Sequence, residues 1–303
     1  MTDKVVVLDG GMGRELKRMG APFRQPEWSA LTLMEAPESV LAAHRAFIKA
    51  GAEVITTNSY AVVPFHIGEE RFAQDGARLA ALSGELARRA AEEEAQRSGR
   101  KITVAGSLPP LFGSYRPDLF DPARAPAMLA VLVDALLPSV DHFLAETQSC
   151  IAEALAACAA VRPTGKPIWV SFTLQDDGTA GEAPALRSGE GVAEAVAAVR
   201  AAGAAAVLFN CSQPEVMGPA VALAHDVLGE GGIPIGVYAN AFPEKTGEAA
   251  ANEGLSDLRE DIVPLRYRDF GRDWHRRGAR IIGGCCGIGP DSICELHRAF
   301  RAD

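Results

Sequence analysis

The sequence has no excess of basic residues. Its 30 lysines and arginines face 39 aspartates and glutamates, for a net charge of −9. Nucleic acids and anionic membranes both demand a basic face, so neither is an expected partner. Long apolar runs are missing too. No uninterrupted stretch reaches the roughly 20 residues that cross a bilayer. The N-terminus offers only Val5–Leu8 before Asp9, too short for the apolar part of a secretion signal. A cytoplasmic location is therefore expected, with reduced thiols. The six cysteines are then read as core residues, metal ligands or reactive groups rather than disulfides. No Pro/Ser-rich linker or low-complexity tract divides the 303 residues, so one domain over 1–303 is expected.

What is present is an alternation. Short, apolar segments rich in β-branched residues occur at 5–11, 52–60, 101–107, 140–147, 167–174, 204–212, 234–241 and 279–287. Their runs are nearly continuous, as in strands buried on both faces of a parallel sheet. Between them lie Ala/Leu/Glu/Arg-rich segments with helical spacing, among them 37–51, 126–140, 149–162 and 190–203. Several end at glycine, which suits a left-handed helix C-cap. Eight such strands alternating with helices predict an α/β protein with a closed (β/α)8 TIM barrel. The rival is an open, dinucleotide-binding sheet. It needs G-x-G-x-x-G after the first strand, but here Leu16 stands where the third glycine belongs. The charged stretch 91–100 reads as a solvated helix end, and 241–257 as the longest loop.

In such a barrel the chemistry lies at the C-terminal strand ends. The polar residues there are Asp9, Thr56, Thr57, Asn58, Ser107, Glu146, Thr147, Asn210, Cys211, Tyr238, Asn240, Cys285 and Cys286. Closure brings strand 8 near strand 6 and beside strand 1, so Cys211, Cys285 and Cys286 converge on one rim. Cys150, Cys158 and Cys294 fall on helical segments and read as small buried hydrophobes. Three thiolates with one open position match a zinc site, since sulfur ligands disfavour magnesium and calcium. Two other readings stay open at this point: a packed Gly-rich corner, and a vicinal redox dithiol at Cys285–Cys286. The latter lacks C-x-x-C spacing and leaves Cys211 unexplained.

A tri-thiolate zinc is a weak Lewis acid for making hydroxide but a good holder of a fourth sulfur. A free thiol has a pKa of about 8.5, so little of it is thiolate at neutral pH. Zinc removes that proton, and S-alkylation of a bound thiol is the reaction class that follows. Asp9 and Glu146, at the same mouth, are suited to hold a substrate ammonium group. Asp9 reads equally well as a turn residue before Gly10. Thr57 or Asn58 could meet a carboxylate or simply satisfy local backbone. The six histidines fall mostly on helices or loops and receive no role.

The motifs DGGMGREL (9–16), GAEVITTNSY (51–60), AET (145–147), FNC (209–211) and GGCCG (283–287) run through almost the whole chain. In these the sequence resembles the homocysteine S-methyltransferases. The resemblance implies a (β/α)8 barrel with zinc on Cys211, Cys285 and Cys286, and homocysteine sulfur in the fourth place. Asp9 and Glu146 would contact the amino group, and Thr57 would lie near the backbone end. A methyl group would come from an onium donor, giving methionine. The length leaves no room for a cobalamin or folate domain, so the resemblance points to S-methylmethionine or S-adenosylmethionine as donor. Betaine, another sulfonium donor, a different thiol, or a non-catalytic zinc-binding barrel are the alternatives. The chain departs from the family pattern at Ala239, often proline, at Ile288-Gly289-Pro290, often T-x-P, and in the 107–120 loop.

Overall fold

Each apolar segment forms a short strand, and all eight pair in parallel. The computed structural model describes residues 4–176, 183–243 and 257–301. The strands are β1 (Val6–Val7), β2 (Val54–Thr56), β3 (Thr103–Leu108), β4 (His142–Gln148), β5 (Ile168–Phe172), β6 (Ala206–Asn210), β7 (Ile235–Tyr238) and β8 (Ala279–Ile282). They follow one another in the order β1-β8-β7-β6-β5-β4-β3-β2. The barrel closes between the two ends of that list. Leu8 bridges Val54 in parallel, Asp9 N donates to Val54 O at 3.0 Å, and Glu53 N donates to Val7 O at 2.7 Å. The expected (β/α)8 barrel is therefore the observed fold.

The continuous apolar runs have a plain cause. One set of strand side chains, including Leu8, Val54, Leu144, Leu208 and Ile281, fills the barrel interior. The alternate set, including Val7, Ile55, Phe143, Val170 and Phe209, packs outward under the helices. Both faces are buried, so no polar alternation survives. The helices expected at 37–51, 126–140, 149–162 and 190–203 appear as Pro37–Ala50, Ala125–Leu136, Ile151–Val161 and Val192–Ala201. Gly51 caps the first with φ of 115°. The strands are shorter than their motifs, because the tails of DGG, TTNSY and GGCCG turn away as loops that build the mouth.

One expectation changes in detail. The stretch 91–100 does end a helix, Glu69–Ser98, with Gly99 as its left-handed cap. Within it Glu94 is buried rather than solvated, because Arg97, Arg100 and Ser98 supply its hydrogen bonds. Of the 241–257 loop, residues 244–256 lie outside the described residues. Among the described residues no helix is long and apolar enough to cross a membrane.

Candidate active site

The sulfur rim is built by backbone. Past the ends of β7 and β8 the pairing continues: Cys285 N donates to Ala239 O and Ala241 N to Cys286 O, both at 2.9 Å. Gly284 N donates to Asp9 O at 2.9 Å, which ties the GGCCG loop to the first strand. The DGG loop lies flat against it, and a Cβ on Gly11 would strike the Cys285 carbonyl oxygen. A side chain on Gly283 would likewise strike Leu8. The two glycine motifs are thus two sides of one close contact. Cys211 follows β6 with φ of 50°, an uncommon conformation for a residue with a side chain.

These turns bring the sulfurs of Cys211, Cys285 and Cys286 within 4.8 Å of one another. Cys211 and Cys285 stand as a disulfide, with Cα atoms 5.8 Å apart. The expectation was metal ligands or reactive groups rather than disulfides, and this pair departs from it. The physical reason is aim: the ends of β6 and β8 flank β7 and direct both side chains at one point. Cys150 and Cys158 are buried, as expected, Cys158 on the helix Ile151–Val161 and Cys150 at its N-cap rather than within it. Cys294 is half-buried on the helix Pro290–Arg301, not a core residue, because that helix is the outer, amphipathic end of the chain. Of the departures, Ile288 is buried, and its carbonyl accepts from Gly11 N at 2.9 Å. Ala239 is buried, and its carbonyl accepts from Cys285 N and from the Tyr267 hydroxyl.

The carboxylates are held by side chains and isolated amides. Asp9 is 6% exposed; it accepts from Thr56 N at 2.7 Å and from the Thr56 hydroxyl at 3.2 Å. Burial pushes its pKa up to about 8, against the lowering pull of the Thr56 amide, and the nearby Glu146 charge adds to the rise. Glu146 accepts a short hydrogen bond from the Ser107 hydroxyl. Burial raises its pKa to about 7. Two buried acids with raised pKa values in one cavity call for a cation.

Thr57 lines the same cavity, but its hydroxyl is engaged. It accepts from Ser107 N at 2.9 Å and lies 2.9 Å from the Ser59 hydroxyl, which itself donates to Ser107 O. Thr57 thereby supports Ser107, and Ser107 holds Glu146. Asn58 donates to Ser29 O at 3.1 Å.

Asp9, Thr57, Glu146 and the three rim cysteines all line one cavity at the barrel mouth. Residues that sequence reasoning missed complete it: Met12, Phe23, Trp28, Tyr115 and Phe242 form apolar and aromatic walls, and Arg14 stands 5.5 Å from the Phe242 ring centre. Met12 and Arg14 lie within DGGMGREL, which gave them no role of their own, and no motif marks Phe23, Trp28, Tyr115 and Phe242, which come from separate loops. His66 also lines it; burial lowers its pKa to about 4, so the ring is neutral. With the Cys211–Cys285 bond reduced, the donor set fits zinc: three sulfurs meet at one point, with no histidine or carboxylate among them.

A model of the family described as homocysteine S-methyltransferase matches residues 6–300. The homocysteine S-methyltransferase of Escherichia coli is 32% identical over 96% of this chain and 94% of its own. A selenocysteine methyltransferase of Astragalus bisulcatus is 26% identical over 99% of this chain and 93% of its own. The crystal structure of the E. coli homocysteine methyltransferase MmuM in a metallated form superposes with a TM-score of 0.78 at 27% identity, covering 97% of this chain and 96% of that one. Matched from the first strand to the last helix, the chain belongs to the homocysteine S-methyltransferase family, a family of methyl-transferring enzymes.

Proposed function

We propose that the protein transfers a methyl group from a sulfonium donor, S-methylmethionine or S-adenosylmethionine, to the sulfur of L-homocysteine, giving methionine. The observation that carries this reading is one cavity that joins three converging cysteine sulfurs to two buried carboxylates. Cys211, Cys285 and Cys286 would hold zinc, which when bound lowers the pKa of a substrate thiol so that it is presented as a thiolate. A site built on free thiolates favours the reducing cytoplasm.

The rest is work for this chain's side chains. Asp9 and Glu146 take the substrate ammonium group, which returns both carboxylates to their charged form. Ser107 and Thr56 hold those carboxylates in place, and Thr57 shapes the wall at the backbone end of the amino acid. The aromatic walls suit an onium cation, attracted to ring faces. In the transfer, the homocysteine sulfur gives an electron pair to the methyl carbon. The donor S–CH3 bond breaks, its pair returns to the donor sulfur, and the donor leaves neutral at that sulfur. Alignment of the two sulfurs about the methyl carries most of the rate.

The test uses reduced, zinc-loaded protein with homocysteine and S-methylmethionine, S-adenosylmethionine or betaine in turn, with methionine as the readout. Methionine formed with a sulfonium donor supports the reading. Turnover with betaine alone would move the donor class. No methionine with any donor, from protein that carries about one zinc per chain, would overturn it.

A further inference from the structure

We propose that Asn210 is a positioning residue that locks the direction of Glu146 and of Cys211 together. This inference rests on the functional reading above, in which Glu146 holds substrate and Cys211 holds metal. The starting point is an irregularity in β4. Ala145 pairs with Val170 and Gln148 with Phe172, three steps along β4 against two along β5. One residue is extra, and the bulge falls at Glu146–Thr147. Bulges re-aim a side chain at the cost of local pairing. Here the bulge turns Glu146 to the cavity and puts Thr147 at φ of 60°.

The bulge takes Thr147 N out of the β4–β5 ladder, and a buried amide must find another acceptor. It finds the side chain of Asn210, two strands away. Thr147 N donates to Asn210 Oδ1 at 2.9 Å, and Asn210 Nδ2 donates to the Thr147 hydroxyl at 2.8 Å. Ser171, on the intervening β5, donates its hydroxyl to Asn210 Oδ1 at 2.7 Å. The Thr147 amide can only donate, so the orientation of the Asn210 amide is fixed by chemistry. Asn210 and Thr147 are both fully buried, where each lost bond carries its full penalty.

The same residue leads directly into Cys211, which has φ of 50°. A left-handed conformation at a residue with a Cβ persists only when its surroundings over-determine it. The three hydrogen bonds on the Asn210 side chain pin the backbone at the point where Cys211 turns toward the rim. One amide therefore spans β4, β5 and β6 and sets two functional side chains at once. An asparagine suits this better than aspartate, which lacks the Nδ2 donor and would set a second charge beside Glu146.

The experiment compares Asn210→Ala, Thr147→Val and Thr147→Ser with wild type. Zinc affinity is read by competition with a chromophoric chelator on reduced protein. Homocysteine and donor KM are read separately, and folding by circular dichroism. Asn210→Ala is expected to weaken zinc binding and raise the homocysteine KM by about tenfold or more each, with donor KM unchanged. Thr147→Val removes one bond and should raise homocysteine KM several-fold, while Thr147→Ser, which keeps the hydroxyl, recovers most of that loss. Loss of active fraction with unchanged zinc affinity and KM would mean an ordinary structural role and overturn the proposal. Should Asn210→Ala fail to fold, the Thr147 pair decides, and equal KM values for the two variants would overturn it. If wild type binds neither zinc nor homocysteine, the functional reading falls and takes this inference with it. If wild type binds both and the variants match it, only this inference falls.

Discussion

Cys285 and Glu146 face the same cavity, yet the chain secures them by different means. Cys285 and Cys286 are placed by main chain: ladder bonds to Ala239 and Ala241, and the close contact that Gly11 and Gly283 permit. Glu146 and Asp9 are placed by hydrogen bonds to their own carboxylate oxygens, from Ser107 and Thr56. The difference follows from what each group must do. A metal ligand needs only to be aimed, because the metal itself supplies the charge and the final distance. A carboxylate buried to meet an ammonium group must be aimed and also kept tolerable in the empty site, where its charge is costly. Substitutions on the sulfur side should therefore be all-or-none, and those on the carboxylate side graded.

The sharpest way to break this comparison is Cys286→Ala. We expect zinc to be lost and turnover to fall below detection while the far-ultraviolet circular dichroism stays that of the barrel. Full zinc content in that variant, by elemental analysis, would remove the tri-thiolate site. Cys158→Ser is the control from outside the rim. It is buried in the core with no place in the cavity, so zinc content should not change, and the cost should appear only as about 1–3 kcal/mol of lost stability in denaturant melts. On the graded side, Glu146→Gln keeps the shape and the Ser107 contact but removes the charge that meets the substrate ammonium. A charge-assisted hydrogen bond contributes about 1.5–3 kcal/mol, so the homocysteine KM should rise by roughly tenfold to a hundredfold. Zinc content should hold, and kcat should fall less than kcat/KM. An unchanged homocysteine KM would mean that Glu146 is only a structural neighbour of Ser107.

The same contrast explains which parts of the site were legible in the sequence. The barrel was visible because every strand is buried on both faces, which leaves eight unbroken apolar runs. Cys211, Cys285 and Cys286 were legible because a metal ligand set is written in residue type and strand position alone. Asp9 and Glu146 stood out as charges at the ends of apolar strands. What could not be read was the support. Ser107 and Thr56 are common residues, and their function depends on which oxygen they reach across the barrel. The β4 bulge leaves no signature in AETQS, because an extra residue shows only against the register of β5. The aromatic walls were missed for a related reason: Phe23, Trp28, Tyr115 and Phe242 come from loops whose meeting is a property of closure, not of spacing. That Cys211 and Cys285, 74 residues apart, meet at the rim follows from strand order and was legible; that they bond to each other was not, because strand position fixes which residues are neighbours and not how their side chains are aimed.

The effect that tests the cost of the carboxylate side directly is in pH dependence. In the folded, ligand-free protein Asp9 has its pKa raised from 3.8 to about 8, chiefly by burial and further by Glu146. An acid whose pKa is higher folded than unfolded binds its proton more tightly in the native state. Its contribution to stability is complete below pH 3.8, declines as pH rises toward about 8, and is flat above that. Asp9→Asn removes this dependence while the asparagine oxygen can take the place of Asp9 Oδ2 as acceptor from Thr56 N. In zinc-free, reduced protein the stability of the variant relative to wild type should therefore grow between about pH 4 and pH 8 and level off above, as read from urea midpoints at several pH values. A gap that stayed constant across that range would mean that Asp9 ionises freely in the empty cavity, and that it is no more strained than an ordinary surface aspartate. A gap that grows as stated, and then closes on addition of homocysteine, would tie the strain to the ammonium group that relieves it.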